Sequence, residues 1–199
     1  METNTGGMPD LGPVAAGMAR LARHVDDARL GDPTPCPEYA VRELLAHVVG
    51  LSAAFRDAAR KDFGATTDKD PGTVTWVLGE DWRSRLPELL DDLVAAWRHP
   101  EAWDGDTRAG GIALPAALAG RVALNELLVH GWDLARSTGQ SYDPDERELR
   151  VSYALMAPAA QDPGRGGMFG PVVAVPDDAP LLDRVVALSG RRPDWTPGP

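Results

Sequence analysis

The sequence predicts an all-α fold, in which a four-helix bundle is followed by a helical C-terminal extension. Hydrophobic residues recur at steps of three and four in separate segments of the first 139 residues, which is the period of a helix with one buried face. The segments between them are rich in Pro, Gly and Asp, which favour turns and loops. No stretch alternates apolar and polar residues over a length that would predict a β-sheet.

The first three helices are each indicated by one apolar stripe. Helix two is expected over about residues 41–60, after a turn at 31–38 whose prolines cannot continue a helix. Residues 61–79 and 99–113 are expected to be loops. The stripes are Leu11, Val14, Met18, Leu21 and Val25 in helix one, Leu44, His47, Leu51 and Phe55 in helix two, and Trp82, Leu86, Leu89, Leu93 and Trp97 in helix three.

Helix four is expected to run from about Pro115 to Gly139, because proline suits a first helical position and glycine suits a C-cap. It is apolar nearly all round, which predicts a central, buried helix.

The segment Asp143-Pro144-Asp145-Glu146 has the form of an N-cap, a proline in the first turn and a capping-box acid. We therefore expect helix five over about 144–160. A Gly-rich loop at 161–177 and a short helix at 179–189 follow. The chain is expected to be a single domain over residues 1–199, with the bundle at about 10–139 and the extension at about 143–195.

Composition narrows the functional classes. The net charge of −10 argues against nucleic-acid binding, which needs a basic surface to neutralise phosphates. No apolar run approaches the roughly 18 residues of a membrane span, and the first ten residues lack the pattern of a signal peptide. The sequence therefore predicts a cytoplasmic protein with no membrane partner, and it leaves open whether the chain forms a homodimer. The single cysteine, Cys36, excludes an internal disulfide and a Cys-rich zinc site.

Two short segments, 42–47 (RELLAH) and 125–130 (NELLVH), each place a carboxylate and an imidazole four residues apart on one side of a helix. In helix four, Glu126, His130 and Asp133 follow one stripe of an otherwise apolar helix. Buried carboxylates and imidazoles must be paired or bound to a metal. Two interpretations stay open from the spacing: a metal site, or a buried ion pair that fixes helix packing.

The other histidines weigh on this choice. His47 favours the metal interpretation, because it lies on the inward face of a different helix. Glu43, its neighbour in the first segment, is expected to be a surface acid. His24 and His99 lie at a helix end and at the start of a loop, where we expect them to be solvated.

Three segments together resemble a known family. Residues 34–50 (TPCPEYAVRELLAHVVG) and 123–140 (ALNELLVHGWDLARSTGQ) resemble the signature segments of DinB-like four-helix bundles, and in particular the metal-binding branch near the N-terminal domain of mycothiol-dependent maleylpyruvate isomerases. Residues 168–195 (MFGPVVAVPDDAPLLDRVVALSGRRPDW) resemble the C-terminal region of that branch. Two features depart from the pattern: Tyr39 stands where tryptophan is usual, and the 61–79 connection is long. The extra domain of the larger isomerase has no counterpart here.

The resemblance implies a divalent metal bound by His47, Glu126 and His130. It also implies that Asp133 holds the His130 ring from behind. Zinc suits such a set of ligands, and iron(II) or nickel would also fit. Two histidines and one carboxylate leave coordination positions open, which favours catalysis over a structural site.

The implied chemistry is transfer of a low-molecular-weight thiol to a small electrophile, or thiol-assisted isomerisation of one, with mycothiol as the co-substrate. Two alternatives stay open. The protein could be a metal-binding interaction or stress protein without turnover, since fold does not fix function. It could also be a thiol-independent metal enzyme that acts on a natural-product intermediate.

Four further residues are weaker candidates. Cys36 has no adjacent base in the sequence, which favours an incidental thiol over a nucleophile. Arg165, Arg191 and Arg192 could bind a substrate carboxylate, although a solvated C-terminal region is the simpler expectation for each.

Overall fold

A computed structural model of the protein describes residues 8–162 and 169–198. Within those residues the chain forms six α-helices and one small antiparallel sheet, so the predicted all-α class is confirmed. No helix in these two ranges combines the length and the apolar character needed to cross a membrane. The elements are α1 (Gly12–Arg23), α2 (Val41–Arg60), α3 (Trp82–Trp97), β1 (Asp106–Ala109), β2 (Ile112–Pro115), α4 (Ala116–Thr138), α5 (Glu146–Met156) and α6 (Leu181–Leu188).

The first four helices form the bundle. Helix α2 packs against α3 and α4, and α1 packs against the same two helices from the other side. The predicted stripes face inward: Leu44, Leu86 and Leu93, for example, are fully buried. Helix α4 also packs against α5, and α5 packs against α6. This contact with the extension explains why α4 is apolar nearly all round.

The expectation of a loop over residues 99–113 without a sheet is wrong in part. Strands β1 and β2 pair in antiparallel register around a two-residue turn. That turn consists of Gly110 and Gly111, with φ of 61° and 79°, and positive φ at both central positions is what a tight hairpin turn of this type requires. Each strand has only four residues, too few for an alternating pattern to stand out in the sequence. Thr107 of β1 ties the hairpin to the bundle by donating a buried hydrogen bond to the Ala58 carbonyl (2.6 Å).

The predicted capping box exists, but it lies two residues later than expected. Asp145 is the N-cap of α5, and the side chain of Glu148 accepts a hydrogen bond from its backbone N–H at 3.1 Å. Helix α5 therefore begins at Glu146 rather than at residue 144. It ends at Met156 and continues only as a single 3₁₀ turn around a proline, because proline cannot donate the next helical hydrogen bond.

Candidate metal centre

The structure brings together the three residues that the sequence singled out. Their ligand atoms all lie within 4.8 Å of one another. His47 Nε2 is 3.5 Å from Glu126 Oε2, and His130 Nε2 is 3.2 Å from the same oxygen. The two imidazole rings are 4.9 Å apart and nearly perpendicular. Two nitrogens and one carboxylate oxygen thus converge on one small volume.

Helix geometry explains this convergence. Glu126 and His130 are four residues apart in α4 and therefore share one face of that helix. His47 belongs to the inward stripe of α2, which packs against α4. Both histidines are buried, whereas the Glu126 side chain is 23% exposed. Glu126 is therefore the member of the cluster that is in partial contact with solvent.

Behind His130 lies a second, fully buried carboxylate. His130 Nδ1 is 2.9 Å from Asp133 Oδ2, at the separation expected when the ring donates to the carboxylate. A proton held on Nδ1 in this way leaves Nε2 facing Glu126, where it donates to the carboxylate when protonated and offers a lone pair to a metal when not. Arg191, from the chain just after α6, donates to both oxygens of Asp133.

Two aromatic side chains cover His47. The Tyr39 ring lies 5.3 Å from the imidazole at a tilt, and the Trp76 indole lies 4.9 Å away with edge-to-face geometry. Trp76 comes from the long connection between α2 and α3. It fits against α2 only because residue 50 is glycine: a Cβ on Gly50 would be 2.1 Å from the indole ring.

The charges of the cluster are strongly coupled. Burial raises the pKa of Glu126, but hydrogen bonds from His130 and His47 lower it by more, so that the net pKa lies well below 4.5. Burial lowers the pKa of His130, yet the hydrogen bonds to Asp133 and Glu126 outweigh burial and raise it above 6.5. The pKa of His47 is lowered by burial, which its hydrogen bond to Glu126 only partly offsets. Without a metal, His130 is therefore the imidazole that favours its charged form.

The donors present fit a divalent cation. His47 Nδ1 is buried and has no hydrogen-bond partner among the described residues, so this ring is held by packing while its Nε2 faces the cluster. His130 has its Nδ1 engaged by Asp133, while its Nε2 faces Glu126. Neutral imidazole nitrogens and an ionised carboxylate oxygen are the donors that zinc, iron(II) and nickel accept.

The remaining acidic and histidine candidates lie elsewhere. Among residues 8–162 and 169–198, the only cluster of His, Cys, Asp and Glu side chains that could hold a metal ion is the triad of His47, Glu126 and His130. Glu43 is not part of it. His24 is exposed and its Nδ1 lies 2.8 Å from a backbone carbonyl of its own helix. His99 is also exposed. The expectation that both are solvated is confirmed.

The basic candidates separate into different classes. Arg192 is exposed and pairs with Asp194, as expected of a solvated C-terminal region. Arg191 is not solvated: only 14% of its side chain is exposed, so that expectation is wrong. The reason is the buried Asp133, whose charge requires a partner. Arg165 lies outside the described residues.

Cys36 lies near Arg191 and Asp133, but nothing around its thiol activates it as a nucleophile. Its thiol is half-buried, and burial raises its pKa, an effect that the charge of Arg191 only partly offsets. A raised pKa disfavours the thiolate, which is the nucleophilic form. This agrees with the expectation of an incidental thiol.

Sequence reasoning did not place Trp76 in this site, and it did not predict the contact between Arg191 and Asp133. Trp76 carries a weak signal, since it is the largest side chain of the 61–79 connection. Arg191 carries none, because nothing in the local sequence separates it from Arg192.

Comparisons with known proteins show the family of this chain. The model of the mycothiol maleylpyruvate isomerase N-terminal domain family matches residues 11–135. Two uncharacterized proteins of Mycobacterium tuberculosis, from strains CDC 1551 / Oshkosh and ATCC 25618 / H37Rv, are each 30% identical over 190 residues, which are 87% of this chain and 91% of theirs.

Two solved structures share the fold. The crystal structure of a mycothiol-dependent maleylpyruvate isomerase superposes with a TM-score of 0.63 and 19% identity, over 92% of this chain and 88% of that one. A histidine-to-alanine mutant of such an isomerase gives a TM-score of 0.53 and 18% identity, over 73% of this chain and 66% of that one. The matched family interval includes the triad and Asp133 and ends before Arg191.

Proposed function

This chain belongs to the mycothiol maleylpyruvate isomerase N-terminal domain family, and we propose that it is a metal-dependent enzyme that activates a low-molecular-weight thiol toward a small electrophile. The thiol is either transferred to the electrophile or used to isomerise it. The observation that carries this proposal is the convergence of His47, Glu126 and His130 on one small volume, with Glu126 partly exposed.

The proposed ligand atoms are the Nε2 atoms of both histidines and Oε2 of Glu126. Three protein ligands leave at least one coordination position for a thiol or substrate. A zinc, iron(II) or nickel ion bound there would supply a Lewis acid that lowers the pKa of a thiol sulfur. Zinc is our first choice among these metals.

The charges around the site favour an anionic sulfur. Asp133 is paired with Arg191, so those two charges offset each other. Glu126 then supplies the only uncompensated negative charge among the residues in contact with the histidines. A divalent cation with one carboxylate keeps a net positive charge, which attracts a thiolate in a partly desolvated site.

The residues around His47 give the site its shape. Tyr39 and Trp76 pack on the imidazole and keep water from that side of the ring. Glu126 is the partly exposed member of the triad. Substrates therefore enter past the carboxylate and meet the rings of Tyr39 and Trp76, which we call the aromatic wall.

We identify the thiol as mycothiol, since the family and both similar crystal structures carry that name. The electrophile is a small molecule, with maleylpyruvate as the first candidate. A reduced thiol co-substrate also supports a cytoplasmic location, because reducing compartments keep thiols reduced.

The test combines metal content with thiol dependence. Untagged protein is purified without added metal, its metal content is measured by mass spectrometry, and it is assayed with mycothiol and a panel that includes maleylpyruvate. We expect about one ion per chain and turnover that needs both the metal and the thiol. The matched control is His130→Ala, in the same panel.

The possible outcomes separate the alternatives. Equal turnover without thiol would favour a thiol-independent metal enzyme. Bound metal with no turnover across the panel would favour a binding protein. A parent protein that carries no metal and cannot be reconstituted would remove the site assignment.

A further inference from the structure

We propose that Arg191 is a positioning residue of the metal site, which acts through Asp133 on His130. This inference rests on the proposed metal site and extends it to a part of the chain 58 residues beyond Asp133. It also makes the C-terminal extension part of the same functional unit as the bundle.

The contact between Arg191 and Asp133 is bidentate. Arg191 Nε donates to Oδ1 at 3.2 Å, and Nη2 donates to Oδ2 at 2.9 Å. The Asp133 side chain is fully buried. Paired, parallel hydrogen bonds between guanidinium and carboxylate fix the carboxylate plane as well as its charge.

Every guanidinium nitrogen of Arg191 already donates to an acceptor within the protein. Its third nitrogen, Nη1, donates to the Ser189 carbonyl at 3.2 Å. All three guanidinium nitrogens are therefore bound to protein acceptors. This argues against the alternative in which Arg191 binds a substrate carboxylate, and it favours a role inside the protein.

One oxygen links the arginine to the metal ligand. Asp133 Oδ2 accepts from Arg191 Nη2 and lies 2.9 Å from His130 Nδ1. Held in this plane, the carboxylate keeps the proton of His130 on Nδ1 and fixes the ring, so that the Nε2 lone pair points at the metal position. Without Arg191, the buried carboxylate would lose its counter-charge and its fixed orientation.

The backbone after α6 directs Arg191 inward. The Gly190 N–H bonds to the Ala187 carbonyl and the Arg191 N–H bonds to the Val186 carbonyl, which is the pattern of a Schellman C-cap. Gly190 has φ of 90°, and a Cβ there would be 2.7 Å from the backbone of Gly170. This tight turn buries Arg191 and leaves its neighbour exposed.

The exposed neighbour supplies a matched control. Arg191→Gln removes the contact to Asp133, whereas Arg192→Gln removes the same charge from an exposed pair one residue away. Zinc affinity is measured by competition with a chromophoric chelator. The His130 tautomer is measured in the metal-free protein from its ¹⁵N chemical shifts, at an alkaline pH at which the imidazole is neutral.

We expect Arg191→Gln to weaken zinc binding by roughly 10–100-fold, the range for loss of a partner behind a metal ligand. Its His130 should also lose the single Nδ1–H form. Arg191→Lys keeps the charge but cannot form the two parallel hydrogen bonds to Asp133, and we expect an intermediate loss of zinc affinity. Arg192→Gln should match the parent in both measurements.

Arg191→Gln leaves Asp133 buried and unpaired, which could unfold the protein. The double variant Arg191→Gln/Asp133→Asn removes both charges, and we expect it to fold and to bind zinc as weakly as Arg191→Gln. Parent-like zinc affinity and tautomer in a folded Arg191 variant would overturn the inference, as would an equal loss in Arg192→Gln.

Failure of the metal site itself would look different. If the parent binds no zinc, the proposed function fails. The tautomer of His130 in the metal-free protein still tests Arg191 in that case, and an unchanged Nδ1–H form in Arg191→Gln would overturn the inference.

Discussion

The two histidines of the site are held in place in different ways. His130 is fixed by a hydrogen bond from Nδ1 to Asp133, whereas Nδ1 of His47 has no such bond and its ring is held by Tyr39 and Trp76. Polar contacts therefore fix one ligand and aromatic packing fixes the other. Substitutions around His130 should consequently act by removing hydrogen bonds, and substitutions around His47 by removing aromatic contacts.

The first prediction compares the proposed ligands. His47→Ala and His130→Ala each remove one of three protein ligands. Loss of a residue that only supports a ligand lowers metal affinity by roughly 10–100-fold, and we expect both variants to lower it by at least that much. Asp133→Asn should cost less than either, because it only loosens the orientation of His130. Metal stoichiometry and competition titrations measure these losses, with His99→Ala as the exposed control.

Equivalence of two histidines that are 83 positions apart in sequence (130 minus 47) is what a pure packing role does not predict. If His47→Ala keeps its metal fully, the third ligand is misassigned. Asp133 or Glu43 then becomes the next candidate.

The second prediction concerns the aromatic wall. Gly50→Ala puts a Cβ where the Trp76 ring now lies, and we expect the indole to leave its position on α2. Displacement should raise the quenching of tryptophan fluorescence by acrylamide. The same substitution in a Trp76→Phe background should change quenching little. Equal quenching of parent and Gly50→Ala would contradict the contact.

At the scale of elements, the sequence predicted well where one element buries a whole stripe. Helices α2, α3 and α4 lie close to their expected positions, because each of them contains many apolar residues at helical spacing. The hairpin was missed, since its two strands have four residues each and are held largely by the Gly110-Gly111 turn and by contact with α2. The start of α5 was misplaced by two residues, since two acids in DPDE can both serve as the cap.

The third prediction tests helix packing with a matched pair of glycines. A Cβ on Gly120 of α4 would lie 2.5 Å from the Trp103 ring and 2.8 Å from the Trp97 ring, both of which are buried. We expect Gly120→Ala to lower the free energy of unfolding by about 1–3 kcal/mol through overpacking. Gly17→Ala, inside α1 with nothing within 4 Å, should raise it by roughly 0.5–1 kcal/mol through helix propensity.

Urea denaturation measures both values. The opposite signs are the informative part of this pair, since both variants make the same chemical change inside a helix. Stabilisation of Gly120→Ala to the same degree as Gly17→Ala would mean that the tryptophans can move aside.

At the scale of the whole molecule, the site draws on three distant parts of the chain. The ligands on α2 and α4 could be inferred from spacing and resemblance, since Glu126 and His130 share a helix face and His47 lies on an inward stripe. Arg191 could not be inferred, because its role arises only when the extension folds back over α4. Trp76 likewise needs the path of the long connection, which local patterns do not encode.

The charges of the site also make the stability of the whole fold depend on pH. The pKa of His130 is raised above 6.5 by Asp133 and Glu126. Its contribution to the free energy of unfolding is therefore complete below about pH 6.5 and is lost as pH rises through the raised pKa. The pKa values of Glu126 and Asp133 are lowered from 4.5 and 3.8. Their contribution is present above those ordinary values and is lost as pH falls through the lowered ones. These three groups are therefore together most stabilising at weakly acidic pH, whereas the lowered pKa of His47 acts in the opposite sense as pH falls below about 6.5.

The last prediction follows from competition between that proton and a metal. A metal on Nε2 of His130 requires the imidazolium to lose its proton, so binding should strengthen as pH rises. Since a ligand of the folded state stabilises it in proportion to its affinity, we expect the rise in Tm on adding zinc to be larger at about pH 7.5 than at about pH 5.5. Differential scanning fluorimetry with zinc or with a chelator measures this rise, and His130→Ala should show little rise at either pH. A rise of equal size at both pH values would mean that zinc binds away from His130.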